Sequence, residues 1–350
     1  MKWMKALRYL MTPFWIAALA TGAKSFRDNP ILGSEELNRR GLHIRRSRLA
    51  HDLAWSRRAR LAHLISAEDR EAFDRDGFIL RNEFLPGDVF KRLRDAVLTH
   101  AAPAREMRQA DTITRRIAVD REFVAALPEI KRLLSDRDWR GFNRYVGSFD
   151  QEPLTYIQTI LSHVCDSSPD PQTDLHIDTF HPTVKAFYFL NDVAADEGPF
   201  VYVPGSHRLT PGRLAWEYEL SIRAARSDDR LSGRGSFRAT GAEIEQMGFA
   251  PPRAFAVPAN TLVVADTVGF HARGLSARPS VRVEIWTFGR RNPFIPWSGL
   301  DIGSLPGIAE RRVPAMWRTL DVLHRFGLGR QPWRPVGRLK PQDPPGGKVI

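Results

Sequence analysis

The stretch LHIDTFHPTVKAFYFL, residues 175–190, sets the character of this chain. It contains two short β-rich runs, Leu175–Ile177 and Val184–Leu190, which are separated by polar residues and a proline. Similar runs recur from Thr155 to Phe288, with Pro, Gly, Asn and Asp between them. Several short strands punctuated in this way are typical of a β-sandwich or barrel. The sequence therefore predicts a mainly β fold with flanking helices, of the α+β class.

A candidate metal site lies within the same stretch. His176 and Asp178 are two residues apart in a β-like run, and alternate residues of a strand project from one face. His271 follows 95 residues later, after the run Thr261–Val264, and supplies a third ligand. Two histidines and one carboxylate form a facial triad, which leaves coordination positions open and suits iron(II) oxygenases. Because His-x-Asp alone is a common pattern, the prediction depends on the combination of these three candidate catalytic and metal-ligating residues.

Charged and polar side chains on nearby runs extend this site. Arg282 lies 11 residues after His271, inside an alternating β run that also contains Glu284. A buried arginine is costly without a partner, and a dicarboxylate co-substrate would supply a bidentate one. A salt bridge to Glu284, or an exposed strand face, is the alternative. Gln158 and Lys185 lie on runs that could line the same cavity, where Lys185 either binds the co-substrate carboxylate or extends toward solvent.

Taken together, these residues resemble the phytanoyl-CoA dioxygenase superfamily of iron(II)/2-oxoglutarate oxygenases. The resemblance extends from about Phe73 to Phe288, about three-fifths of the chain. Asp266 and His271 are similar to its distal ligand segment, and Arg282 to its 2-oxoglutarate arginine. The other motifs that carry the resemblance are Asp76-Gly77-Phe78, Phe84-Leu85-Pro86, His176-Ile177-Asp178, Phe187-Tyr188-Phe189-Leu190-Asn191-Asp192 and Glu197-Gly198-Pro199-Phe200-Val201-Tyr202-Val203-Pro204-Gly205-Ser206-His207.

The resemblance implies a double-stranded β-helix, or jelly roll, that uses Fe(2+), 2-oxoglutarate and O2. Substrate would be hydroxylated while 2-oxoglutarate is converted to succinate and CO2. Asp178 favours hydroxylation, because related halogenases carry a small residue at that position; desaturation and ring closure stay open. Asp174-Leu175 before the first histidine and an insertion at about 209–247 depart from the family pattern. The acyl-CoA specificity of the family's founding member is therefore not carried over.

The N-terminal part of the chain is strongly basic. Of the net charge of +12, a large share comes from eight arginines between Arg39 and His63, where Asp52 is the one acid. The pattern over Leu42–Leu64 predicts a basic amphipathic helix, which favours an anionic membrane surface as partner of residues 1–64; a solvated basic face is the alternative. The uncharged run Tyr9–Ala23 is an interfacial segment, a cleaved signal peptide or a helix packed on its own domain. No motif indicates nucleic-acid binding.

The sequence predicts three regions: a basic helical extension at 1–65, the dioxygenase domain at 66–291, and a Pro/Gly/Arg-rich C-terminal extension at 292–350. The single cysteine, Cys165, excludes an internal disulfide and fits a cytoplasmic location, with peripheral association at the inner face of the membrane as an option. The predicted substrate is amphipathic or lipid-linked. A soluble secondary metabolite, and a non-catalytic jelly-roll binding protein, are the alternatives. The oligomeric state stays open.

Overall fold

The computed structural model describes residues 11–347, and within them the chain forms two antiparallel sheets. The larger sheet has eight strands in the order β1-β8-β5-β10-β4-β3-β2-β11, and the smaller has the order β7-β6-β9. The strands are β1 Phe78–Arg81, β2 Ala102–Gln109, β3 Thr112–Ala118, β4 Leu154–Ser162, β5 Val184–Phe189, β6 Phe200–Tyr202, β7 Arg253–Phe255, β8 Leu262–Asp266, β9 His271–Arg273, β10 Ser280–Gly289 and β11 Arg334–Leu339. The predicted jelly roll with flanking helices is confirmed.

Helices cover the outer face of the larger sheet and surround the smaller one. They are α1 Glu35–Arg39, α2 Leu42–Leu61, α3 Ala67–Asp76, α4 Gly87–Thr99, α5 Arg121–Ala126, α6 Pro128–Ser135, α7 Arg137–Gly147, α8 Pro211–Arg223, α9 Arg230–Gly233, α10 Gly241–Gln246 and α11 Arg312–Arg325. Residues 11–17 are also helical. The predicted insertion at 209–247 thus forms α8–α10. Its helix α8 packs against α1 and α2, where Nε2 of His43 lies 3.0 Å from Oε2 of Glu217.

The start of the domain follows its local sequence signals. The hydroxyl of Ser66 accepts a hydrogen bond from the backbone N–H of Asp69 at 3.1 Å and caps α3. Gly77 ends that helix with a left-handed φ of +84°. A Cβ at Gly77 would lie within 2.6 Å of side-chain atoms of His207 and Tyr202. Only glycine fits this turn, which leads directly into β1.

Two apolar clusters explain why the sheets pair. One lies between the larger sheet and helices α4–α7 and includes Phe73, Trp139 and Tyr188. The other fills the space between the two sheets, where the rings of Phe187 and Phe200 stack with centroids 4.3 Å apart. α11 contributes Trp317 to this second cluster, and β11 pairs with β2 at the sheet edge. The C-terminal region is therefore packed on the jelly roll.

Helix α2 is present where the sequence predicts it, but an amphipathic basic face is not confirmed. Arg46, Arg57 and Arg58 are buried. Arg57 donates to the carbonyls of Ser148, Pro293 and Ile295. Since these guanidinium groups are used inside the molecule, the arrangement gives no support for a membrane surface as their partner.

The predicted membrane-interface segment lies partly beyond the described part of the chain. Its basic start, residues 1–8, falls outside the described residues, so that interpretation stays a prediction. Among the residues that are described, no helix is both long enough and apolar enough to cross a bilayer.

Candidate metal centre

The structure brings His176, Asp178 and His271 together, with one potential ligand atom from each lying within 4.8 Å of the others. Backbone pairing causes this convergence. The N–H of His176 donates to the carbonyl of His271 and the N–H of His271 to that of His176, both at 2.9 Å. The N–H of Asp178 donates to the carbonyl of Thr267 at 3.0 Å. The sequence predicts a strand at Leu175–Ile177, but the structure has only an isolated β-bridge there. This bridge still places His176 and His271 side by side.

Each histidine is oriented by a backbone carbonyl. Nδ1 of His176 donates to the carbonyl of Asp174 at 2.7 Å, and Nδ1 of His271 to that of Gly269 at 2.9 Å. This tautomer leaves the Nε2 lone pair of each ring for a metal. Burial lowers the pKa of His176 to about 3 and that of His271 to about 4. Both rings are therefore neutral at pH 7, the form that binds a metal.

The third candidate ligand, Asp178, is contacted by two lysines. Burial raises the pKa of its carboxyl, but the ammonium of Lys185, joined in acid by the protonated rings of His271 and His176, outweighs this and holds the pKa well below its usual range. Nζ of Lys185 lies 2.6 Å from Oδ2 of Asp178 and 3.4 Å from Nε2 of His271. Nζ of Lys24 donates to the backbone carbonyl of Asp178 at 2.5 Å. Lys185 thus points into the centre, not toward solvent.

Arg282 forms the ion pair with Glu284 that was the alternative prediction. Its Nε donates to Oε2 of Glu284 at 3.1 Å, and Nη1 donates to the carbonyl of Gly198. Nη2 has no hydrogen-bond partner among residues 11–347. Gln158 joins the same chain of contacts, because its Nε2 donates to Oε1 of Glu284 at 2.7 Å. The pairing with Glu284 leaves one edge of the Arg282 guanidinium for a ligand.

A cavity of about 180 Å³ connects these groups. Both histidines, Lys185, Gln158 and Arg282 line it. The sequence prediction missed further lining residues, which are Met107, Gln109, Thr114, Arg116, Gln172, Phe187, Phe200, Ala272, Arg273 and Trp286. Arg116 could have been found from the alternation along Thr112–Ala118, had that run been recognised as a strand.

Asp266 positions the segment before His271 and is not itself a ligand. Its Oδ2 accepts from Nη2 of Arg58 at 2.7 Å, with both groups fully buried. Its Oδ1 accepts from the backbone N–H groups of Thr183 and Val268 at 3.0 and 3.2 Å. These bonds fix the turn from which His271 projects. The guanidinium of Arg58, on helix α2, therefore supports the candidate metal centre, although α2 lies outside the part of the chain that resembles the family.

The donor set decides which metals fit. Two neutral imidazole nitrogens and an ionised carboxylate converge from one side, and this combination suits a divalent transition metal such as iron(II). Both imidazoles are already fixed by hydrogen bonds, so a metal would require little rearrangement of them. The ammonium of Lys185, 2.6 Å from Oδ2 of Asp178, would have to move aside.

Comparison with known proteins gives one family match. Residues 73–232 match the family described as phytanoyl-CoA dioxygenase (PhyH), which confirms the predicted resemblance over that range. The match includes His176, Asp178 and Lys185. It does not include His271 and Arg282, whose assignment to the site depends on the geometry alone. No curated protein matches the chain.

Solved structures with similarity to this chain have low identity to it. The α-ketoglutarate-dependent epimerase SnoN of nogalamycin biosynthesis is 18% identical, over 65% of this chain and 82% of its own, with a TM-score of 0.43. HygX from Streptomyces hygroscopicus, with nickel and 2-oxoglutarate bound, is 18% identical over 69% and 93%, with a TM-score of 0.39. The carbocyclase SnoK of nogalamycin biosynthesis is 18% identical over 65% and 84%, with a TM-score of 0.39.

Proposed function

Since residues 73–232 match the phytanoyl-CoA dioxygenase family, we propose that this chain is an iron(II)/2-oxoglutarate-dependent dioxygenase. His176, Asp178 and His271 would hold the iron. The observation that carries the proposal is the convergence of their three ligand atoms within 4.8 Å of one another, with Nε2 of both histidines directed to the centre.

Bound iron(II) would supply the activation of O2, coupled to the conversion of 2-oxoglutarate to succinate and CO2. The residues of the chain then have separate tasks. The unpaired Nη2 edge of Arg282 would bind the distal carboxylate of 2-oxoglutarate. Lys185 would leave Asp178 and turn to the carboxylate of the co-substrate, and Gln158 would hold Glu284 in place. Phe187, Phe200 and Trp286 line the cavity and exclude water.

We assign hydroxylation as the reaction, because Asp178 occupies the third ligand position that chloride would otherwise need. We assign an amphipathic or lipid-linked molecule as the substrate. Both aromatic rings and cations line the cavity, which suits a molecule with an apolar body and a charged group. A soluble secondary metabolite with the same features is the alternative.

The test is succinate release by the purified full-length chain with Fe(2+), 2-oxoglutarate and O2. We expect slow release without substrate, which stops on iron removal and falls at least about a hundredfold in His176→Ala. His63→Ala, at an exposed position, is the matched control. If the unaltered protein binds 2-oxoglutarate but forms no succinate under any condition, the enzyme proposal is wrong.

The same preparation, incubated with lipid extracts and separately with water-soluble extracts, identifies the substrate class by mass spectrometry. Hydroxylation adds about 16 Da, whereas desaturation or ring closure removes about 2 Da. A product in the lipid fraction supports the amphipathic assignment, and a product confined to the soluble fraction supports the alternative.

A non-catalytic binding protein is the second candidate function, and Lys185 favours it. An ammonium 2.6 Å from Oδ2 of Asp178 could take the place of the metal permanently. In that case Fe(2+) would not bind at micromolar concentration, and 2-oxoglutarate would bind equally well with and without iron. Calorimetric titration of the metal therefore separates the two functions before any substrate is known.

A further inference from the structure

Arg116 and Arg273 are the two cations of the cavity that the proposed chemistry does not use, and Arg116 is the one without an ion pair among the described residues. It lies on β3 and lines the cavity beside His176, His271 and Lys185. Its guanidinium carbon lies 4.1 Å from the ring centre of Trp286, 4.4 Å from that of Trp333 and 5.0 Å from that of Tyr156. Three aromatic rings therefore hold this half-buried guanidinium in one place.

The other three cations of the cavity each have a carboxylate. Nζ of Lys185 lies 2.6 Å from Asp178, Nη1 of Arg273 lies 2.5 Å from Asp170, and Nε of Arg282 lies 3.1 Å from Glu284.

Arg116 differs from them. Its Nε donates to the neutral Oε1 of Gln158 at 2.9 Å, and within the described part of the chain it forms no ion pair. Burial lowers the pKa of Arg116 to about 10, so it stays charged at pH 7. Its surroundings favour an anionic ligand, because a partly buried cation without an ion pair gains from a charged partner.

A second cleft shows where the rest of such a ligand would lie. Met107 lines both the inner cavity and an outer cleft of about 740 Å³. Arg108, Pro332 and Arg334 are among the residues that line the outer cleft. Trp333, which stacks on Arg116, lies between two of them in the sequence. The two spaces thus share Met107, and Trp333 connects Arg116 to the segment that borders the outer cleft, so a ligand longer than 2-oxoglutarate could extend outward beside Arg116.

We propose that Arg116 binds an oxyanion of the substrate — a carboxylate, sulfate or phosphate carried on an apolar body — at the junction of the inner cavity and the outer cleft. This rests on the proposed function, in which Arg282 is reserved for 2-oxoglutarate. Phe187, Phe200 and Trp286 would contact the apolar body, which places a C–H bond of the substrate toward the candidate metal centre. The site thus selects acidic amphipathic molecules over neutral ones.

The experiment uses the full chain loaded with Ni(2+) and 2-oxoglutarate, because the nickel complex does not turn over. This complex is titrated calorimetrically with four ten-carbon probes. Decanoate, decyl sulfate and decyl phosphate carry the three oxyanions, and 1-decanol is the neutral match. The variants are Arg116→Met and Arg116→Lys. Arg105→Met is the control, because Arg105 lies directly opposite Arg116 in the β2–β3 register and already pairs with Asp321 at 2.5 Å.

We expect at least one oxyanion to bind the unaltered protein about tenfold or more tightly than 1-decanol. Arg116→Met should remove that preference, Arg116→Lys should keep part of it, and Arg105→Met should leave it intact. Arg116→Met should still fold, with a somewhat lower thermal midpoint, since it loses the contacts with the aromatic rings and Gln158 but no ion pair. If it does not fold, the result for Arg116→Lys decides.

Two results would overturn the assignment of Arg116. In one, no oxyanion binds better than 1-decanol. In the other, Arg116→Met weakens 2-oxoglutarate binding and leaves probe binding unchanged, which would place Arg116 in the co-substrate site. Failure of the proposed function looks different, because it is read from succinate release: the iron-loaded protein would form no succinate, whereas the preference for oxyanion probes can still be measured.

Discussion

At the scale of single residues, Lys185 is the side chain that most affects the candidate metal centre. Its ammonium lies 2.6 Å from Asp178 and 3.4 Å from Nε2 of His271, among the atoms proposed to hold iron. A positive charge in that position stabilises the ionised carboxylate when no metal is bound. It must also compete with an incoming divalent cation. A stronger Lys185–Asp178 pair therefore means a lower affinity for the metal.

Replacing Lys185 by Met should tighten metal binding. At an effective dielectric constant of about 20, unit charges about 4 Å apart interact by about 4 kcal/mol, so removing the competitor should lower the Kd for Mn(2+) at least about tenfold. The metal-free protein should lose about 2 kcal/mol of unfolding free energy, because Asp178 is left without its partner. Anaerobic calorimetry and urea unfolding measure the two effects.

Lys91→Met is the matched control for this substitution, since Lys91 pairs with Asp95 on the exposed surface of α4. It should change neither quantity by more than about 0.5 kcal/mol. If Lys185→Met instead weakens Mn(2+) binding, Lys185 supports the occupied site and does not compete for it.

How far the sequence predicted the site also depends on single residues. The pair His176 and Asp178 was predictable because two-residue spacing places side chains on one face. The contacts of Gln158 with Glu284 and Arg116 were not, because they join three different strands whose register the sequence does not reveal. The ion pair of Arg282 with Glu284 was foreseen only as an alternative, since a local partner and a ligand satisfy a buried arginine equally well.

At the scale of elements, residues 18–33 form a segment, here called the N-terminal strap, that contacts the candidate metal centre through Lys24. Arg46 of α2 holds it by donating to the carbonyls of Leu19, Thr21 and Ala23 at 3.0, 2.8 and 2.9 Å. From the strap, Lys24 reaches the carbonyl of Asp178. The basic helix thus acts on the candidate metal centre through the strap, although both lie outside the family match.

Arg46→Met should therefore loosen a metal ligand from a distance. Three carbonyls lose a charged donor, which should cost about 2 to 3 kcal/mol of unfolding free energy. The segment around Asp178 should exchange its amide hydrogens faster, and the Kd for Mn(2+) should rise severalfold. Hydrogen exchange read by mass spectrometry and metal titration are the measurements.

Arg40→Met serves as the control for the strap, because Arg40 is exposed and pairs only with Glu36 one turn away. It should cost less than about 0.5 kcal/mol and leave exchange unchanged. Loss of stability in Arg46→Met without faster exchange around Asp178 would show that Arg46 supports α2 alone.

The same helix shows why sequence patterns failed at this scale. Leucines at Leu42, Leu49 and Leu53 indicate a helix correctly, but they do not show which arginines face inward. Leu49 is exposed, whereas Arg57 and Arg58 are fully buried. Their partners are carbonyl groups of distant segments and Asp266, which only the folded chain brings near. Charge along a helix is thus a weak guide to its exposed face.

At the scale of the whole molecule, the described residues bury an unusual set of neutral histidines. Burial lowers the pKa of His51 and His176 to about 3 and that of His271 to about 4. Burial also holds the pKa values of His181 and His207 well below their usual range. These five rings lie on α2, in and beside the candidate metal centre, and in the turn after β6.

This set predicts the pH dependence of stability. An unfolded histidine has a pKa of about 6.5, so between about pH 6.5 and 4 the unfolded chain binds protons that the folded chain does not. Stability must then rise with pH and be lost as pH falls below 6.5. From pH 6.5 to 5.5 each such histidine should remove roughly 1 kcal/mol, about 5 kcal/mol for the five. Carboxylates titrate mainly below this window and add little.

Urea unfolding of the metal-free protein at pH 7.5, 6.5 and 5.5 measures the effect, and His207→Phe tests its origin. The ring of His207 packs 5.2 Å from that of Phe73, and neither of its nitrogens has a hydrogen-bond partner among residues 11–347, so phenylalanine should fit. The variant should lose about 1 kcal/mol less than the unaltered protein between pH 6.5 and 5.5. His63→Gln, at an exposed position, should not change the slope. A stability that is flat across this window would mean that the buried rings take up protons in the folded state, and the neutral imidazoles required for metal binding would then be lost near pH 6.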